Sequence, residues 1–162
     1  FGGKSYDEGY SVKQTKDGGY IISGLTMSFG AGSNDAYVIM TDAEGNAIWN
    51  ANYGGPNGEM GKDVVETHDG GFVVCGVTGS FGNGKTDVLL FKIDSDGELV
   101  WSITIGGSEM DEGNSLQQTS NGGYIIAGET NSFNSAEIVS ISNYSIFSLN
   151  FLLLINEKSI KS

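Results

Sequence analysis

Arginine is absent from this chain of 162 residues, and cysteine, histidine and proline occur once each. Without arginine there is no bidentate clamp for phosphate or carboxylate groups. A lone cysteine, Cys75, excludes an internal disulfide framework. A lone histidine, His68, excludes a multi-histidine metal site and gives little support to a Ser-His-Asp triad. Positive charge is scarce: 20 acids stand against eight lysines, for a net charge of −12. Eighteen of the acids and six of the lysines precede residue 134. Such a surface repels phosphate backbones, so nucleic acid is excluded as a partner, while solubility and attraction of cations are favoured. Long hydrophobic runs are missing as well. The uninterrupted apolar stretch Phe151–Ile155 is far short of the roughly 20 residues a spanning helix needs, which argues against a membrane partner.

Glycine, by contrast, is abundant at 26 residues, without the rhythm of collagen. It suits an all-β chain with many tight turns, because glycine reaches positive φ without a steric penalty. The chain also repeats itself with a period of 52 residues. Asp17-Gly18-Gly19-Tyr20 recurs as Asp69-Gly70-Gly71-Phe72 and as Asn121-Gly122-Gly123-Tyr124. Ser28-Phe29 recurs as Ser80-Phe81 and Ser132-Phe133, and Trp49 as Trp101. A period of this size marks an array of like supersecondary units, each too small to bury a core alone. Three copies are expected, at 1–52, 53–104 and, in part, 105–133. The start at Phe1, inside a repeat and with no readable signal peptide, reads as a cut.

Each unit divides into short runs rich in Val, Ile, Tyr, Phe and Thr, bounded by glycine and Asp/Asn turns. The pattern predicts strands near Tyr10–Thr15, Tyr20–Thr26, Ala36–Thr41 and Ala47–Asn52, then Lys62–Thr67, Phe72–Thr78, Val88–Ile93 and Leu99–Thr104. No window of the repeats carries a helical period. Adjacent apolar pairs, Ile21-Ile22, Val73-Val74 and Ile125-Ile126, imply strands covered on both faces. Trp49 and Trp101 are then anchors between stacked sheets. The persistent glycine pairs Gly2-Gly3, Gly54-Gly55 and Gly106-Gly107, and the single Gly24, Gly76 and Gly128, mark bends or close backbone approach.

The recurring Tyr-Gly-Gly, Asp-Gly-Gly-Tyr-Ile-Ile-x-Gly, Ser-Phe-Gly-x-Gly-x-x-Asp and Gly-x-x-x-Trp motifs resemble the repeats of large secreted or surface-attached bacterial and archaeal proteins. That resemblance covers residues 1–133 and implies four-stranded antiparallel blades of a β-propeller, about two and a half of them here. It implies an extracellular or cell-surface setting and says almost nothing of activity. Closed propellers use about 4–8 blades, so a short arc would leave blade faces open to self-association. Residues 134–162 depart from the repeat: rich in Ser, Asn, Ile, Leu and Phe and without glycine, they read as a truncated end, as a strand or helix covering the last blade, or as a membrane segment.

Candidate chemistry is sparse. Asp7, Glu59 and Asp111 fall at one position of the repeat, where they would form either a cation- or sugar-binding rim or carboxylates that satisfy turn amides. Asp94-Ser95-Asp96-Gly97 and its counterpart Asp42-Ala43-Glu44-Gly45 have a faint look of a calcium loop but lack the late bidentate Glu, and read as hairpin turns. The loops 30–35 and 82–87 lack the strand–loop–helix context of a phosphate loop. Cys75, whose counterparts are Ser23 and Ala127, reads as a small inert core residue, and His68 as an exposed turn residue. The sequence therefore points to no catalytic residue and no cofactor, leaves a metal undecided, and favours a non-catalytic binding or display scaffold for a protein or carbohydrate ligand. Alternatives are a fragment of a propeller enzyme whose active-site blades lie elsewhere, and a calcium-stabilised adhesion module.

Overall fold

The computed structural model describes residues 1–132, 145–147 and 151–155. Among them there is no helix; every regular element is a strand. The first sheet comprises β1 (Asp7–Gln14), β2 (Tyr20–Thr26), β3 (Asp35–Thr41) and β4 (Ala47–Tyr53). The second comprises β5 (Glu59–Glu66), β6 (Phe72–Thr78), β7 (Asp87–Ile93) and β8 (Leu99–Ile105). Both run as antiparallel meanders in chain order. The third is built on β9 (Asp111–Gln118) and β10 (Tyr124–Thr130), to which β12 (Phe151–Ile155) and then β11 (Ser145–Phe147) add. The three sheets form an open series and do not close on themselves.

The pairing registers repeat with the sequence. Gly24 faces Tyr37 in the first sheet, and Gly76 faces Leu89 in the second. The first strands of the first two sheets start at Asp7 and Glu59, three residues before the expected Tyr10 and Lys62. The cause is a bulge between Gly9 and Ser11, repeated between Gly61 and Asp63, which breaks the alternation while Asp7 and Glu59 stay paired beyond it. Gly24 and Gly76 sit opposite that bulge. A Cβ on Gly76 would overlap the Met60 carbonyl oxygen, so only glycine lets the bulged strand approach.

The tail enters the third sheet in an unexpected way. Gly128 faces Phe151 and Tyr124 faces Ile155, the register in which Gly76 faces Leu89 and Phe72 faces Ile93. Phe151–Ile155 thus stands in the third-strand position, and the earlier β11 lies outside it. The apolar run is a strand along the edge of β10. The other residues of the tail, 133–144, 148–150 and 156–162, lie outside the described residues, as do Phe133 and the boundary expected there.

The sheets stack face to face, each first strand lying against its predecessor. β5 packs on β1, β2 and β3, and β9 packs on β5, β6 and β7. One core joins Ile21, Ala36, Val38 and Met40 to Phe72, Val74, Leu89 and Phe91. The next joins Val73, Cys75, Val88 and Leu90 to Leu116, Tyr124 and Ile126. Ile21 and Val73, Ala36 and Val88, Val38 and Leu90, Phe72 and Tyr124, and Val74 and Ile126 are the same positions one repeat apart. Burial of each such side chain contributes roughly 1.5–3 kcal/mol, so the junctions between sheets carry most of the cohesion. Trp49 and Trp101 pack at the edges of the two cores, against Phe72 and Tyr124.

Candidate functional site

The carboxylates at the shared repeat position are all engaged in the same way. Asp7 accepts the Gly3 amide at 2.8 Å and the hydroxyls of Thr26 and Ser28. Glu59 accepts the Gly55 amide at 2.6 Å, the Thr78 hydroxyl at 2.8 Å and the Ser80 amide at 3.1 Å. Asp111 accepts the Gly107 amide at 2.9 Å and the hydroxyls of Thr130 and Ser132. Each acid clasps the Gly-Gly loop that leads into its own strand to the Thr-x-Ser that ends the next one. The Thr26 hydroxyl, followed by the Gly3 amide, holds the Asp7 carboxyl below its ordinary range. Of the two readings of these acids, the geometry has them satisfying turn donors.

The calcium-like loops are hairpin turns. Asp42 accepts the amides of Glu44 and Asn46 at 3.0 and 2.7 Å, and Asp94 accepts those of Asp96 and Glu98, both at 2.9 Å. The loops 30–35 and 82–87 turn their amides onto their own aspartates. Ala31 donates to Asp35 at 2.7 Å, and Gly84 donates to Asp87 at 3.1 Å. They also cross to the next sheet, where Ser33 donates to the Asn57 carbonyl at 3.0 Å. His68 is exposed at its turn. Cys75 is buried in the core, and burial followed by the nearby Asp63 pushes its thiol up to about 12. No group of three or more metal-ligating side chains is found among the described residues.

Two features escape a reading by motif. The first is a junction of acids. Asp35 opens β3 and Glu59 opens β5, both fully buried, and their carboxylates converge on the same side of Gly54. Asp87 and Asp111 converge on Gly106 in the same manner. The Oδ1 atom of Asp35 has no hydrogen-bond partner. Burial, with Glu59 adding to it, raises the Asp35 carboxyl above the usual range. The sequence signal was present, since Asp35 recurs as Asp87 in the Ser-Phe-Gly-x-Gly-x-x-Asp motif.

The second is a cavity of about 280 Å³ between the first two sheets, lined from β4 on one side and from β7 and β8 on the other. Tyr53, Phe81, Leu89, Phe91 and Leu99 line it, with Asn52 and Ser102 as the polar groups. Tyr53 and Phe91 stack at 4.8 Å across the junction, and the Tyr53 hydroxyl donates to the Gly97 carbonyl at 2.6 Å. Trp49 reaches the same turn, donating to the Ser95 carbonyl at 2.9 Å. Phe81 and Leu99 remain about half exposed at the mouth. An apolar hollow with a few convergent polar groups is what a small ligand or an apolar ring face requires. No family model matches the chain, and no curated protein does.

Proposed function

We propose that the chain is a run of β-propeller-type repeats, each four-stranded sheet a blade, and that it serves as a non-catalytic binding or display scaffold of a larger secreted or surface protein. The stacking order supports the blade reading. Each first strand faces the first three strands of the sheet before it, as inner strands do when blades surround an axis, and the outer strands β4 and β8 alternate between exposed and half-buried side chains. The observation that carries the scaffold reading is the use of the repeated acids. Asp7, Glu59 and Asp111 spend their oxygens on their own loops, which is a structural role repeated once per unit.

On this reading the ligand lies in the hollow beside Tyr53 and Phe81, and its class is a carbohydrate or peptide that offers an apolar face to the aromatic rings and hydroxyl or amide groups to Asn52 and Ser102. The test is an array of glycans and peptides, paired with a panel of glycosides and lactones monitored for turnover. Binding that Phe81→Ala weakens by about tenfold, without product, supports the proposal. Product formation from any member of the panel overturns it.

A further inference from the structure

Position for position, the first sheet presents a face that the other two sheets bury. Val12 is 60% exposed, whereas Val64 and Leu116, one and two repeats later, are 0% and 5% exposed. Tyr20 and Ile22 are half-buried, whereas Phe72, Val74, Tyr124 and Ile126 are buried. At the other end of the series the opposite face is open. Ile125 is half-buried and Ala127 exposed, where Ile21 and Val73, and Ser23 and Cys75, are buried.

We propose that a second copy of this chain docks head to tail, the open β1–β2 face of one copy seating on the open β10 face of another. The argument is continuity with the two junctions inside the chain. Both join the same pair of faces in the same direction, offset by one repeat. The faces left open are the two halves of that junction. Polar partners extend the match. Asp63 accepts the Ser11 hydroxyl at 2.7 Å across the first junction, and Glu66 and Gln118 accept the amides of Lys16 and His68 at 2.8 and 3.0 Å across the two junctions. Their counterpart Gln14 has no sheet against it among the described residues and turns back to the Gly18 carbonyl at 3.3 Å. Docking frees Gln14 for the backbone amide of Ser120 on the other copy.

The contact is heterologous, so it propagates into a ring or a fibre rather than stopping at a symmetric pair. One residue moderates it. Glu129 is exposed on the β10 face, where the first two repeats carry buried Leu25 and Val77. A carboxylate there opposes close apolar contact.

The proposal rests on the stacking of the sheets and not on the propeller or scaffold reading, so either can fail alone. Sedimentation velocity of the purified chain over a wide concentration range tests it. The wild type is expected to associate with concentration. Val12→Asp and Ala127→Asp, each at an exposed site, are expected to weaken association by at least about a hundredfold. An equimolar mixture of these two variants retains one intact junction and is expected to form a heterodimer that grows no further. Glu129→Val is expected to tighten wild-type association by about tenfold, and melting curves of all variants report their folding. A monomeric wild type overturns the proposal, as it would if the open face served an unrelated protein. Ala127→Asp that still dimerises alone, while the mixture gives no heterodimer, overturns the head-to-tail direction in favour of a symmetric pair.

Discussion

Asp35 and Glu59 bring two buried carboxylates to one side of Gly54, each from a different sheet, and neither forms an ion pair with a lysine among the described residues. The two acids are not equivalent. Glu59 has three donors across its two oxygens, whereas Asp35 has the Ala31 amide and a long contact of 3.4 Å from Asn52, both on Oδ2. The cost of charge at this junction therefore falls on Asp35. Its carboxyl is raised in the folded state, so the stability tied to it is fully present below the unfolded value of 3.8 and is lost as pH rises through the folded value. Asp35→Asn keeps an acceptor for Ala31 and gains a donor aimed at Glu59. It is expected to raise the melting temperature at pH 7, by about 1 kcal/mol in stability, and to leave it unchanged at pH 3. Equal effects at both pH values would show that Asp35 is not the titrating group.

The clasp made by the repeated acids predicts a graded series. Glu59→Ala leaves the Gly55 amide and the Thr78 hydroxyl without this acceptor, and the Ser80 amide with the Thr78 hydroxyl oxygen alone, in a largely buried setting. The expected loss is about 3 kcal/mol by denaturant unfolding. Asp7→Ala breaks the same pattern at the half-buried end of the series, where water replaces the lost acceptor, and a clearly smaller loss is expected. If the two variants lose equal stability, burial is not what sets the value of the clasp.

Glycines in this chain serve two different ends, and alanine separates them. Gly45 has φ near +85° and open space where a Cβ would lie, so Gly45→Ala carries only the strain of the left-handed backbone, about 1 kcal/mol. Gly76 has ordinary φ but no space, because its Cβ would collide with the Met60 carbonyl and the Lys62 amide nitrogen across the bulge. Gly76→Ala must push two buried strands apart and is expected to cost more than about 3 kcal/mol, read from chemical denaturation midpoints.

Much of the fold was legible because the repeat acts as an internal comparison. Paired apolar residues such as Val73-Val74 announce a strand buried on both faces, and each Asp-Gly-Gly announces the hairpin before it. What stayed hidden depends on distance between sheets or on broken pattern. The bulge at Gly61 hides the start of β5 because two residues oppose one, so alternation fails where pairing continues. The hollow beside Tyr53 and Phe81 is lined from two sheets at once, which no single repeat encodes. The strand Phe151–Ile155 carries no glycine loop before it, so nothing in its own residues points to β10.

Lys92 is buried in β7 and its ammonium group meets the Asp69 carboxylate of the preceding turn. At the equivalent position of the first repeat stands Met40, and Asp17 in the turn accepts the Thr15 hydroxyl and, at 3.4 Å, the Gly19 amide, with no lysine ion-paired to it among the described residues. The Lys92 ammonium, with the Thr67 hydroxyl second, holds the Asp69 carboxyl down to about 2. A depressed carboxyl contributes stability that is fully present above its unfolded value near 3.8 and is lost as pH falls toward about 2. The second repeat should therefore lose stability across that window. Asp69→Asn should flatten the loss while lowering stability at pH 7 by about 1 kcal/mol, a value kept small because the carboxylate is largely exposed. Lys92→Met, which installs the residue of the first repeat, should remove the acid dependence with a smaller change at pH 7, because a buried charge leaves together with its partner's need for it. Thermal melts of the three proteins between pH 2 and pH 7 decide the matter: an acid transition that survives both substitutions would assign it to other carboxylates, with the Asp7 and Asp42 clasps next in line.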